Sequence, residues 1–190
     1  LVSNNATNTL AKAGNVITLQ FTASETIQSP TVTILSNGAP LSTTPVLTNT
    51  SGNIWTSVYT ANASDQDGAV TYTIAFSTPA GNAGTAVTSG SGSVTTVSPP
   101  TNQNVVLTAS VIGVAGGTAV TIASSGNTTN NVWLAVTGTT TFAVNYATMT
   151  KAATGLSKSI DAPANAGTYY IYVIDQAGNV SQPSNASITV

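Results

Sequence analysis

Along most of this chain apolar and polar residues alternate with a period of two, the pattern of half-buried β-strands, and helical period is almost absent. "VITLQFTAS" (16–24) puts Ile17, Leu19 and Phe21 on one face and Thr18, Gln20 and Thr22 on the other. "TVTILS" (31–36) pairs Val32 with Ile34. "NIWTSVYTA" (53–61) places Trp55 and Tyr59 opposite Ile54 and Val58, and "AVTYTIAFS" (69–77) aligns Val70, Tyr72, Ile74 and Phe76 inward. "GTAVTSGSGSVTTV" (84–97) closes this first set of strands. A second set follows: "TAVTIAS" (118–124), "NVWLAVT" (131–137), a less regular "TTFAVNYATM" (140–149), "GTYYIYVID" (167–175) and "NASITV" (185–190). Short alternating strands separated by polar turns predict β-sandwiches.

The pattern breaks once. "SPPTNQN" (98–104) holds the only Pro-Pro and carries no apolar anchor, so it reads as a linker. The predicted organisation is a sandwich over 1–97, a linker over 98–104 and a sandwich over 105–190. Each half has one tryptophan near its middle, Trp55 and Trp133. Each also has an Ala-Gly-Asn turn before its last strand, with Gly81 and Gly178 standing 97 positions apart. That shared order predicts two copies of one architecture. It also poses a question, because "VIDQAGNVS" (173–181) reads equally as a functional signature or as one corner of a fold built twice.

Charge changes the picture most. Only 4% of residues are charged, against roughly 25% in ordinary soluble domains. The bases are Lys12, Lys151 and Lys158, the acids Glu25, Asp65, Asp67, Asp161 and Asp175, and the net charge is −2. Such a chain cannot build the positive field that a phosphate backbone requires, so nucleic acid is excluded as a partner. A surface of Ser, Thr, Asn and Gly near zero net charge favours association with like surfaces. The absence of cysteine removes disulfides and thiol chemistry, and leans toward a bacterial surface protein. "LVSNNATNTL" has neither a basic nor an apolar leader region, so the chain reads as an internal piece of a larger protein. "VVLTASVIGVAGGTAVTIA" (105–123) is uncharged over a membrane span's length and holds a GxxxG at Gly113 and Gly117. Its β-branched residues and its Gly116–Gly117 break predict two strands and a turn, and no membrane insertion.

The chain resembles a known family. "SNNATNTLAKAGNVITLQFTASETI" and "DGAVTYTIAFSTPAGNAGTAV" resemble the bacterial immunoglobulin-like repeats of surface-layer proteins and large adhesins. Lys12, Gly14, Ile17, Leu19, Phe21, Ser24 and Glu25 match that family's "K.GD.ITL.FT.SE" strand. Gly68, Val70, Tyr72, Ile74, Ala80, Gly81, Asn82 and Gly84 match its "G.V.Y.I...D.AGN.G" segment. The likeness covers most of 3–97, and "AGTYYIYVIDQAGNVSQPSNASITV" (166–190) resembles the closing half of related repeats. It implies two tandem immunoglobulin-like β-sandwiches, all-β, in an extracellular protein of the bacterial cell surface. It further implies self-association with identical subunits in a surface array, and cell-wall polysaccharide as a partner of other parts of the parent protein. Asn15 and Thr78 stand where the family often carries Asp; both remove carboxylates, which argues against calcium binding of the kind some adhesin repeats show.

Candidate chemistry is sparse. "DQDG" (65–68) begins like a calcium loop, but neither EF-hand register places a carboxylate at position 12, where Phe76 or Ile74 falls. Asp65, Asp67 and Asp175 are the candidate metal ligands, with Ca²⁺ the ion they suit; a turn role explains each more simply, and no cofactor is expected. Tyr170 and Tyr172 share a strand face and are the candidate ligand-contacting pair, an aromatic platform of the kind that holds sugars. With no His and no Cys, Ser–His and Cys–His nucleophile systems are excluded, and five dispersed acids do not make a glycosidase pair. No enzyme is expected. Asn-x-Ser/Thr occurs at Asn5, Asn49, Asn62, Asn127, Asn179 and Asn185, matches that a chain this rich in Asn, Ser and Thr supplies by chance. The reading is therefore a structural, non-catalytic surface-layer module; the alternative is an adhesin stalk or ligand-binding repeat, or an accessory carbohydrate-binding module of a secreted enzyme.

Overall fold

The computed structural model describes residues 1–190, which divide into two units, Leu1–Ser98 and Pro99–Val190. The first unit has nine strands: β1 (Val2–Ser3), β2 (Leu10–Ala11), β3 (Val16–Thr22), β4 (Thr31–Ser36), β5 (Ala39–Pro40), β6 (Val46–Ser51), β7 (Ile54–Thr60), β8 (Gly68–Ala75) and β9 (Thr95–Thr96). They form two sheets, ordered β1-β3-β7-β6 and β2-β9-β8-β4-β5. In immunoglobulin lettering these are A-B-E-D facing A′-G-F-C-C′, and β2 runs parallel to β9 while its other neighbours run antiparallel. Alternation explains the core. Ile17 and Leu19 from one sheet and Ile34, Val70 and Ile74 from the other are buried together with Tyr59 and Val94. The β4–β5 hairpin turns at Asn37–Gly38, where φ is +50° and +77°; Asn-Gly is the dipeptide that tolerates two positive φ angles in succession.

The second unit opens with a helical turn, α1 (Gln103–Val106), followed by β10 (Val111–Ile112), β11 (Ala119–Thr121), β12 (Asn131–Ala135), β13 (Thr150–Lys151), β14 (Ser159–Asp161), β15 (Thr168–Ile174) and β16 (Ser187–Thr189). Its larger sheet, β10-β16-β15-β12-β13, repeats the A′-G-F-C-C′ order, and β10 is again parallel to β16. The opposite sheet is reduced to the pair β11–β14, the B and E strands. Val106 gives its carbonyl to the Ala123 N–H at 2.8 Å, so α1 lies beside the chain just past β11, where the first unit has a strand. Val120, Ile122, Leu134, Ile160, Ile171 and Ile188 fill this core. Both units are thus immunoglobulin-like β-sandwiches, the second with a thinned B–E sheet.

Three sequence expectations change in detail. The stretch 98–104 is not free chain beyond Ser98. Asn102 donates its amide to the Ser125 carbonyl, Asn104 Oδ1 accepts the Asn185 N–H at 2.7 Å, and Gln103 is buried. Asparagine side chains do there what the missing apolar anchor would have done. The two tryptophans are both buried but not equivalent, since Trp55 lies on an E strand and Trp133 on a C strand. Finally, 105–123 is divided between α1, β10 and β11, and no helix of the protein is long and apolar enough to cross a membrane.

Candidate functional site

Asp65 sits in the turn between β7 and β8, only 9% exposed, and its carboxylate faces inward. Tyr59, the last core-facing residue of β7, donates its hydroxyl to Oδ2; the Asn62 N–H donates to the same oxygen at 2.8 Å, and the Ser42 N–H to Oδ1 at 3.0 Å. Burial alone would push this carboxyl upward, but the hydrogen bonds from Tyr59, Asn62 and Ser42 outweigh it and hold it below the ordinary carboxylate range. Tyr59 is pushed up, first by burial and then by the proton it shares with Asp65. Asp67, two residues on, points elsewhere: it is exposed and accepts the Ser98 hydroxyl at 2.8 Å. The two carboxylates of "DQDG" do not converge. No three acids anywhere in the chain form a group that could hold a metal ion.

Asp175 directly follows β15 and organises the turn. Its Oδ1 accepts the Asn179 N–H at 2.9 Å and its Oδ2 accepts the Asn179 side-chain amide at 2.8 Å. The Gly178 N–H reaches the Asp175 carbonyl at 3.0 Å, with Gly178 at φ +77°, the left-handed region that only glycine enters freely. The first unit builds the same turn with Thr78: its hydroxyl accepts the Asn82 N–H at 3.3 Å, and the Gly81 N–H reaches the Thr78 carbonyl at 2.9 Å, with φ +86° at Gly81. The bridging pairs Ser77–Ala83 and Ile174–Val180 match at the same 97-residue offset. A hydroxyl and a carboxylate serve the same backbone bond.

Tyr170 and Tyr172 occupy the outer face of the β10-β16-β15-β12-β13 sheet. Tyr170 is half-buried and Tyr172 only 3% exposed, because the segment between β12 and β13 folds over it. Phe142 meets the Tyr172 ring edge-on at 5.2 Å and the Trp133 ring at 5.7 Å; Met149 packs alongside, and Lys151 Nζ lies 5.5 Å over Trp133. These aromatics form a second small core rather than a flat open platform. Period-two alternation set the face correctly, but nothing in it says what covers a face. The Tyr172 hydroxyl, bonded to the Val136 carbonyl at 3.3 Å, reaches the wall of an open cleft of about 490 Å³ lined also by Thr137, Thr139, Ser181, Gln182 and Pro183. A second cleft, about 320 Å³ and more apolar, opens in the first unit among Phe21, Glu25, Ile27, Phe76 and Val87. The sequence reading missed Tyr59 and Ser42 as partners of Asp65; the usable signal was a core-facing tyrosine six residues before an aspartate, since a buried hydroxyl needs an acceptor.

No protein-family model and no curated protein matches the sequence. Solved structures of tandem sandwich domains do resemble the fold. The titin I67–I69 three-domain fragment (an E-to-A variant) is 14% identical over 95% of this chain and 61% of its own, with a TM-score of 0.39. The ICAM-5 D1–D4 ectodomain fragment is 16% identical over all of this chain and 47% of its own, with a TM-score of 0.40. The fibronectin(III)-like modules of CbhA from Clostridium thermocellum are 16% identical over 95% and 88%, with a TM-score of 0.35. The chain spans less than two thirds of the titin and ICAM-5 fragments. The immunoglobulin-like assignment rests on the strand order and register of each unit, not on these likenesses. The chain is a pair of immunoglobulin-like sandwiches, a fold class that serves as structural or binding module.

Proposed function

We propose that these sandwiches are structural, non-catalytic modules of an extracellular bacterial cell-surface protein that packs against copies of itself, as a surface-layer subunit does. One observation carries the reading: the outer faces of the first unit are uncharged. Thr33 and Thr73 stand directly opposite across β4 and β8 with Thr31 and Thr71 beside them, and Thr18, Gln20 and Thr56 line the other sheet. Neutral faces of this kind meet like faces without charge repulsion. Of the five acids, Asp65 and Asp175 are engaged in turns and Asp67 with Ser98. Light scattering and sedimentation over rising protein concentration test the reading: growth in size supports it, and a strictly monomeric chain up to millimolar concentration overturns it. A second reading, a ligand-binding adhesin repeat or accessory carbohydrate-binding module, draws on the cleft beside Tyr172, whose hydroxyls and amide suit a sugar. Binding on a glycan array that Gln182→Ala abolishes would favour it.

A further inference from the structure

We infer that β6 is the seam through which two copies of the chain join, edge to edge and antiparallel, around a two-fold axis at Leu47; this rests on the self-association proposed above and names its surface. A terminal strand presents unpaired N–H and C=O groups along its outer side, and those groups select an extended backbone as partner. The protein blunts its other sheet ends. The terminal strands β1, β2, β5, β10 and β13 have two residues each, and β5 ends in a proline; β11 and β14 have three. β6 has six and ends the order β1-β3-β7-β6. No strand of that sheet contains a charged residue, the device that most simply forbids edge pairing.

The strand's limits set the register. Pro45, which has no N–H, precedes it, and the ladder to β7 is irregular between Asn49 and Ser51, so the regular stretch is Val46–Asn49. Val46 and Thr48 are exposed on the outer face while Leu47 turns inward. Residues directly opposite in an antiparallel pair share a face, and setting inward Leu47 opposite Leu47 of the second copy keeps the faces matched while giving exposed Val46 a partner inside the regular stretch. That puts Val46 opposite Thr48 of the second copy, twice, by symmetry. Val46 is 66% exposed, the most exposed large apolar residue of its unit, and this pairing covers it. The join is isologous, closes as a dimer and leaves every other face free for further packing.

Sedimentation velocity on the full chain, from micromolar to millimolar, provides the test. The wild type should show a concentration-dependent dimer, and Val46→Lys should weaken it by about tenfold or more while unfolding normally. Ser29→Lys, the same charge on an exposed loop, should leave the dimer as it was. Slowed amide exchange confined to Val46–Asn49 at high concentration would support the register. Dimerisation that Val46→Lys does not weaken, or that Ser29→Lys weakens equally, overturns the seam alone and leaves self-association standing. A chain that stays monomeric, including one whose β6 captures an unrelated extended peptide instead, overturns both.

Discussion

The two Ala-Gly-Asn turns are built on the same bonds and yet live in different surroundings. In the first unit Asn82 is exposed, and a threonine hydroxyl suffices for its backbone N–H. In the second, Asn179 is 6% exposed, so its side-chain amide also needs an acceptor, and Asp175 supplies the second oxygen. Beyond the turn the first hairpin exchanges backbone bonds between Ile74 and Val87, while the second uses the Ser184 hydroxyl to accept the Ile171 N–H at 3.0 Å. The corners at the other end of the sandwiches diverge more. The first unit ties its E–F turn through Tyr59, Asp65 and Ser42. The second uses a tyrosine corner: the Tyr169 hydroxyl reaches back to the Asn165 carbonyl at 2.9 Å. Tyr72 holds the position equivalent to Tyr169 at the 97-residue offset and makes no such bond. What is common is backbone geometry; what varies is which side-chain atom satisfies it.

Substitutions can break that comparison at graded strengths, read unit by unit through native-state amide exchange. Asp65→Ala strands two backbone donors and leaves the buried Tyr59 hydroxyl only the Ser42 hydroxyl, 3.1 Å away, and should destabilise the first unit by about 2–3 kcal/mol while sparing the second. Because the folded carboxyl titrates below its unfolded value of about 3.9, its stabilisation is complete above that pH and lost as pH falls through the folded value. An acid titration of the first unit should show this loss in the wild type and not in Asp65→Ala. Next, Gly81→Ala meets open space at the new Cβ, so it should cost only the positive-φ strain, about 1–2 kcal/mol, and Gly178→Ala, at φ +77° against +86°, should cost its own unit the same strain. An effect in one unit alone would deny that the turns are one structure. Tyr169→Phe should cost the second unit about 1 kcal/mol, and Tyr72→Phe should leave the first unit within about 0.5 kcal/mol of wild type. Last, Asp175→Thr, which copies Thr78, should cost about 1 kcal/mol, because it removes the acceptor of the Asn179 side-chain amide, and less than Asp175→Ala, because a hydroxyl can still accept the Asn179 N–H.

Alternation made the sheets legible, and most clearly in β3, β7 and β8, where one face meets a core and the other is more open to water. It could not show that α1 replaces a first strand, since four residues of "QNVV" carry no period. Nor could it show the burial of Tyr172, which depends on an irregular segment, "TTFAVNYATM", folding back across the sheet by side-chain packing of Phe142 and Met149. The turn role of Asp175 was readable because the first copy keeps the Ala-Gly-Asn and drops the acid. Asp65 was readable as a turn residue, and its role as acceptor of a core tyrosine left only the six-residue spacing from Tyr59 as a signal, since Ser42, which completes the cluster, comes from a distant part of the chain.

The parallel pairings of β2 with β9 and of β10 with β16 have a mechanical consequence. In each unit a strand near the chain's entry lies beside the strand near its exit, both running the same way. Tension between the two ends therefore slides these strands past one another and loads their hydrogen bonds together, instead of peeling them apart one by one. Each sandwich is consequently arranged to resist stretching in shear.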